Sequence, residues 1–283
     1  MKRQKTGFTV VELLAVLGIV AMLVGLLIPA LSMVRNTAKE TKQKAQLSTI
    51  EMALMTFKND YGDYPPSEGW YYEPPPGGPF DYCGAQKVAE ALLGWDLLGF
   101  HPQSNWDAPG TAYADPDLNK RKGPYLELGT TNAFRLGNIS INKPGLFYNT
   151  APLAPDTFVI CDAFGTKKIT LANGKSVKAG APILYYKANT SQKTIRGIYD
   201  VRDNDAIVLL KQQADGKEHP LSRTANQYQF FYGNPNDPQL MGYIQDPKVI
   251  ARDWPYRPDS YILISAGADG LYGTSDDIRN FGN

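Results

Sequence analysis

The chain has 283 residues, with 29 basic and 28 acidic side chains, so its formal net charge is only +1. This balance argues against a nucleic-acid-binding protein, which needs a basic surface. The length allows one large globular domain, and the abundance of glycine, proline and tyrosine (26, 21 and 17 residues) predicts an ordered domain rich in loops.

The N-terminus joins a short basic segment, Met1 to Gly7, to a long apolar one. From Leu13 to Val34 there are 22 residues without a charge, which is enough for a helix of about 20 residues to cross a bilayer. A secretory signal peptide has a shorter apolar core and a small-residue cleavage site, and this segment has neither. We therefore predict a membrane helix, kinked or locally melted at Pro29, which lacks the backbone N–H.

Glu12 does not suit a plain membrane anchor, because a lone carboxylate at bilayer depth costs about 2.5–3.5 kcal/mol or more. Cleavage between Gly7 and Phe8 would remove the basic leader and create an amine one helical turn before Glu12. That amine can pair with the carboxylate within one chain or between adjacent helices. An uncut anchor is the alternative, and it leaves Glu12 without a role.

Beyond Val34 the helix is predicted to continue as an amphipathic one. Its apolar residues recur at spacings of three and four, in one stripe: Leu47, Ile50, Leu54, Phe57 and Tyr61. Turn residues and two prolines between positions 60 and 66 end it.

The remainder is predicted to be a short helix over 86–98 followed by strands, which makes the fold class α+β. The strand-like runs are separated by Gly, Asn, Asp and Pro clusters and cover positions 158–160, 183–186, 206–210, 227–232 and 260–265. Cys83 and Cys161 can form one disulfide in an oxidising compartment, and two buried free thiols are the alternative. Motifs for a P-loop, a nucleophile elbow, a dinucleotide fold or a zinc protease are absent from the sequence, so we expect no enzyme.

The last candidate site is a loop between Ser265 and Ile278 in which Asp269, Asp276 and Asp277 lie among three glycines. Calcium takes about 6–8 oxygen ligands, which a loop bent at glycine can supply. Like charges this close repel unless a cation lies among them. The spacing is not that of an EF-hand. We predict a calcium loop, with a solvated acidic turn as the alternative.

Several of these stretches resemble one family. The basic leader, Gly7, Phe8-Thr9-x-x-Glu12-Leu13 and the apolar helix with Pro29 resemble the N-terminal signal of type IV pilins and type II secretion pseudopilins. Positions 45–67, 161–187 (apart from an insertion at 166–181) and 259–279 resemble the major pseudopilin more specifically.

The resemblance implies a pilin-like fold, in which a long N-terminal helix packs on an antiparallel sheet. It implies that prepilin peptidase cleaves after Gly7 and methylates Phe8, and that Glu12 guides subunit registry in a filament. It also implies a set of calcium ligands: Asp269, Asp276 and Asp277, with Ser275 and the carbonyl of Leu271. The corresponding division of the chain is a leader at 1–7, a membrane and filament-core helix at 8–34, an amphipathic half at 35–64 and a periplasmic domain at 65–283, with inserts at about 69–160 and 189–258.

The function implied is that of a structural subunit of a type II secretion filament, anchored by a single pass in the inner membrane. Its partners would be copies of itself and other pseudopilins, prepilin peptidase, the assembly platform and its cytoplasmic ATPase. Two alternatives stay open from the sequence: a type IV pilus subunit for adhesion or motility, and a membrane-anchored binding protein or enzyme.

Overall fold

The computed structural model describes residues 9–69, 82–104, 106, 118–139, 153–154, 156–171, 173–222, 227–234 and 237–282. Its helices are α1 (Val10–Tyr61), α2 (Gly84–Leu93), α3 (Ile195–Ile198), α4 (Asp205–Asp215) and α5 (Gln227–Tyr232), with short 3-10 helices at Leu118–Lys120, Leu136–Asn138 and Val201–Asn204. Its strands are β1 (Ala133–Arg135), β2 (Phe158–Ile160), β3 (Lys167–Thr170), β4 (Ser176–Ala179), β5 (Leu184–Lys187), β6 (Gly233–Asn234), β7 (Asp237–Met241), β8 (Tyr261–Ser265) and β9 (Ile278–Arg279). The fold is therefore α+β, as predicted.

Helix α1 is one continuous helix of 52 residues. Every side chain described between Val10 and Lys42 is exposed in the single chain, and this half is long and apolar enough to span a membrane. The helix assignment runs through Pro29 without interruption, and a kink there stays a prediction. Gly62, in the left-handed conformation with φ 87°, ends the helix and donates its N–H to the carbonyl of Lys58.

The second half of α1 packs on the globular domain through the predicted stripe. Leu47, Ile50, Leu54 and Phe57 are all buried, while Tyr61 at the end of the helix is half-buried. Because the same helix is exposed on every side in its first half and buried along one face in its second, it projects from the domain. The prediction of a single helix with two different environments is confirmed.

A three-stranded antiparallel sheet, in the order β5-β8-β9, lies at the centre of the domain. Side chains alternate between its faces, so Tyr185 and Leu263 point to the core that contains α1 and α2. Their neighbours Leu184 and Ile264 point to a second core that contains α4 and α5. Both faces of the sheet are thus covered, which explains why every residue of β8 is buried.

Helix α2 is buried at all ten of its positions, so the region that we called an insert contributes to the core beneath α1. A helix that is buried all round needs partners for its polar groups. Gln86 donates to the hydroxyl of Thr157 over 2.7 Å, and Lys87 donates to the carbonyl of Glu68. The helix is shorter than the predicted 86–98.

Two predicted strands are helices in the structure. Positions 206–210 lie in α4 and positions 227–232 form α5, so those two predictions were wrong. Short apolar runs do not distinguish a strand from a buried helix by periodicity alone. Three features of α4 favour a helix at these positions. They are Asp205 in its first turn, the helix-forming residues 211–214 and Gly216 in the left-handed conformation at its end.

Cys83 and Cys161 are both fully buried and are not joined by a disulfide. The disulfide is therefore not formed in this structure, and the alternative of two buried thiols holds. Burial raises the pKa of the Cys161 thiol well above its usual value, and the nearby Asp162 carboxylate adds to this effect. A buried thiol of this kind reacts slowly.

Candidate functional sites

The first candidate site is the N-terminal turn of α1, where Thr9 and Glu12 form a capping box. The Glu12 carboxylate accepts from the Thr9 N–H over 2.9 Å and from its hydroxyl over 2.8 Å, and the Glu12 N–H donates back to that hydroxyl. This arrangement satisfies donors that have no partner within the helix. Glu12 therefore has a local role that the sequence analysis missed, although Thr-x-x-Glu was visible as its signal. Gly7 and Phe8 lie outside the described residues.

The second candidate site is the C-terminal loop, residues 266–277, which joins β8 to β9. Gly267 and Gly273 adopt φ of 65° and 95°, which favours glycine strongly. A Cβ at Gly267 would lie 2.3 Å from the carbonyl oxygen of Asp276, so the loop closes on itself only because that side chain is missing.

Asp276 holds this loop together from inside. One carboxylate oxygen, Oδ2, accepts from the N–H groups of Ala268 (2.7 Å) and Asp269 (3.0 Å), and the other accepts from the Thr274 hydroxyl over 2.6 Å. Burial alone would raise the pKa of Asp276, but the Thr274 hydroxyl and the two N–H groups hold it below its usual value. Asp276 is therefore a charged carboxylate stabilised by the loop itself.

Asp277 has the opposite electrostatic environment. Its Oδ2 accepts from the Gly273 N–H over 2.8 Å and from the Tyr243 hydroxyl. Its Oδ1 is buried and makes no hydrogen bond with any described group. Burial, with a further contribution from the Asp276 charge, raises the pKa of Asp277 to about 7. The ionised form of this group lacks a compensating donor on one of its oxygens.

The other predicted ligands occupy the outer side of the loop. Asp269 is exposed and accepts from the Leu271 N–H over 2.7 Å, the Leu271 carbonyl accepts from the Thr274 hydroxyl, and Ser275 is exposed. Within the described part of the chain, no three His, Cys, Asp or Glu side chains converge as a metal-binding group. The structure thus brings the predicted residues into one loop without arranging them around a common centre.

A polar clamp connects the end of this loop to helix α1. The Arg257 guanidinium pairs with the Glu51 carboxylate over 2.5 Å and donates to the carbonyl of Asn280 over 2.9 Å. The Asn280 side chain donates to the same Glu51 oxygen over 3.1 Å. The loop is therefore coupled to the helix through β9 and the residue that follows it.

The third candidate site is a groove of about 730 Å³ beside the end of α1, which the sequence did not reveal. Four segments line it, within positions 63–69, 187–192, 196–205 and 259–260; we call it the polar groove. Ser67 fixes its floor, because its hydroxyl donates to Asp203 over 2.5 Å and accepts from the Lys187 N–H over 2.8 Å.

The polar groove carries more negative than positive charge. Its lining includes six carboxylates and three cationic side chains, and two of the cations are already paired, Lys187 with Asp63 and Arg202 with Asp200. Burial raises the pKa of Asp203 to about 7, and the neighbouring carboxylates oppose its ionisation further. Residues 203–205 are buried, so the acidic run at 200–205, which contributes to the lining of the groove, is not a simple surface turn.

A comparison with protein-family models found no match, and neither did comparisons with curated proteins and with solved structures.

Proposed function

We propose that this chain is a pseudopilin-like subunit of a type II secretion filament, with a structural rather than an enzymatic role. The observation that carries the proposal is helix α1, whose exposed apolar half continues without a break into a half that is fixed to the domain. Such a helix fixes the position of the globular domain relative to the membrane, which a flexible anchor cannot do. The resemblance of the N-terminal segment to the pilin signal, and of positions 45–67 to the major pseudopilin, supports the same function.

In this proposal prepilin peptidase cleaves between Gly7 and Phe8, and apolar helices of many copies bundle in the filament core. Glu12 then neutralises the Phe8 amine of a neighbouring copy during docking. The domain lies in the periplasm, and the assembly platform with its cytoplasmic ATPase drives insertion from the inner membrane. The exposure of every described side chain from Val10 to Lys42 supports a partner, lipid or protein, around this half.

We also propose that the C-terminal loop binds calcium. The support from this structure is the buried Asp277 Oδ1, which lacks a hydrogen bond to any described group, in a loop that also carries Asp269 and Asp276. Calcium needs several oxygen ligands. On binding, the Asp276 and Asp269 carboxylates would give up their hydrogen bonds with backbone N–H groups and coordinate the ion instead. Bound calcium would supply positive charge to a loop with three carboxylates, and the clamp at Asn280 would pass the added rigidity to α1.

Mass spectrometry of the N-terminus of the membrane-extracted protein tests the proposal. We expect a chain that begins at methylated Phe8. A chain that begins at Met1 or Lys2 would remove the basis of the filament function. Deletion of the gene then separates the two filament roles: loss of protein export supports secretion, whereas long surface filaments with intact export would favour an adhesive or motile pilus.

The polar groove favours one second candidate, a membrane-tethered binding protein. The groove is concave and carries convergent polar groups, as binding sites do, but it lacks the mostly apolar lining of a small-molecule pocket. In this candidate function α1 would serve only as an anchor. The discriminating result is Glu12→Ala: unchanged localisation and unchanged oligomer size would support the tethered protein.

A further inference from the structure

We propose that the polar groove is the docking site for the basic segment of helix α1, residues 35–44, of a second copy of this chain. This inference rests on the proposed filament and names one of its contacts. It is carried by charge complementarity between two surfaces of the same molecule and by unpaired, exposed charged side chains on both.

The basic segment has the charge that the groove lacks. It contains Arg35, Lys39, Lys42 and Lys44 against a single acidic residue, Glu40, and all five are exposed. Lys39 donates to the carbonyl of Phe164 over 3.1 Å. The ion pairs of the described chain include none with Arg35, Lys42 or Lys44. Arg35 and Lys42 are seven positions apart and so lie on one side of the helix, where both are available to one partner.

The groove offers two exposed carboxylates that form no ion pair with a described residue, Glu68 and Asp259. Asp203 is buried, so it does not contact a partner's cation directly, and it accepts from the Ser67 hydroxyl. No three carboxylates converge there as a metal-binding group in the described ranges. Carboxylates spread along a groove suit an extended array of basic side chains better than a single small ion.

The spacing of the two surfaces sets the displacement that the proposed contact requires between parallel copies. The groove begins at Asp63, about 23 residues after the middle of the basic segment, which is about 35 Å of helix at 1.5 Å per residue. A parallel copy displaced by this distance along the filament axis would place its basic segment level with the groove. The contact joins two different surfaces, so it is heterologous and repeats indefinitely when the rotation between copies does not close a ring.

Cysteine cross-linking of the full chain in membranes tests the contact. Thr41→Cys places a thiol in the basic segment and Ser191→Cys places one at the rim of the groove; both positions are exposed. The native Cys83 and Cys161 are fully buried, which keeps the background low. We expect a ladder of oligomers only when both substitutions are in one chain. The matched control is Thr56→Cys combined with Ser191→Cys, which should give no ladder. Thr56 is exposed on the same helix, and its hydroxyl, like that of Thr41, donates to the carbonyl four positions earlier.

A cysteine in the apolar half, Val16→Cys, separates failure of this inference from failure of the filament. Cross-links at position 16 without a ladder from the groove pair would overturn the groove contact and leave the filament standing. Absence of cross-links at both places would count against the filament itself, and the groove contact would fall with it.

A charge swap identifies the chemistry. Lys42→Glu should reduce the ladder several-fold, and adding Asp259→Lys in the same chain should restore it, because the attraction is then re-formed with opposite signs. Lys175→Glu, on the exposed β3–β4 turn, is the matched control and should have no effect. A loss that Asp259→Lys does not rescue would mean that the Lys42 charge does not act on this groove, and the proposal would be wrong.

Discussion

Glu12 has two roles to distinguish, and the substitution Glu12→Gln separates them. The structure shows a capping box between Glu12 and Thr9, whereas the proposed filament requires the Glu12 charge for a neighbouring Phe8 amine. Glutamine serves in a capping box as well as glutamate does. The substitution therefore keeps the local turn and removes only the charge.

The two roles predict different magnitudes. A hydrogen bond to a charged group contributes about 1.5–3 kcal/mol, against about 0.5–1.5 kcal/mol for a neutral one. Loss of the charge then weakens each subunit contact by about 1–1.5 kcal/mol, and 1.4 kcal/mol corresponds to a tenfold change in affinity. We expect Glu12→Gln to lower filament yield by about tenfold at equal expression. Glu12→Ala also removes the hydrogen bonds that the position 12 side chain accepts from Thr9, each worth about 0.5–1.5 kcal/mol for a neutral acceptor.

Filament yield is measured by electron microscopy and by the cross-linked ladder at position 16, in membranes with matched amounts of each variant. Glu40→Gln, an exposed glutamate on the same helix, is the control and should assemble normally. If Glu12→Gln assembles like the parent chain while Glu12→Ala does not, capping alone explains the residue and the pairing argument is refuted.

Three further outcomes follow from the domain, all measured by thermal unfolding of the detergent-solubilised full chain. Calcium should raise the melting temperature of the parent chain relative to chelator. Asp277→Asn should remove that difference, and the control Asp156→Asn, at an exposed position, should keep it. No effect of calcium on the parent chain would refute the site. Burial raises the pKa of Asp203 and of Asp277 to about 7, so the folded state favours their protonated forms. The free energy of unfolding should therefore fall as the pH rises from about 4 to 8. A free energy of unfolding that stays constant between pH 5 and 8 would contradict this. Leu54→Ala should cost about 2–5 kcal/mol as a fully buried leucine, and the exposed Met52→Ala should change stability by less than about 0.5 kcal/mol.

The sequence was sufficient to predict α1 because the two halves of the helix have strong and different hydrophobic patterns. A charge-free run predicts a membrane span, and the stripe from Leu47 to Phe57 predicts a packed face, whatever the rest of the chain does. The turn at Gly62 was equally clear. Local signals of this kind depend on neighbours within a few positions, and tertiary contacts did not override them.

The groove and the true nature of α4 could not be predicted, because both depend on contacts between distant positions. Ser67 contacts Asp203 across 136 positions, and no local pattern records such a pair. The run from Ala206 to Leu210 has strand-like composition, yet it packs as a helix on the far face of the sheet. In the C-terminal loop, the sequence located the carboxylates but not the different electrostatic states of Asp276 and Asp277.

The way in which the sheet is covered limits how copies of this chain can assemble. Both faces of the sheet lie against helices, and the free edge of β5 is blocked because Ser67 accepts from the Lys187 N–H and Asn204 donates to the Tyr185 carbonyl. The opposite edge, β9, has only two residues, which is too short to template another strand. Strand addition to this central sheet is therefore blocked at both edges. Assembly through side chains, such as those on the exposed face of α1 and in the polar groove, does not depend on a free edge, and the cross-linking pair at positions 41 and 191 measures one such contact directly.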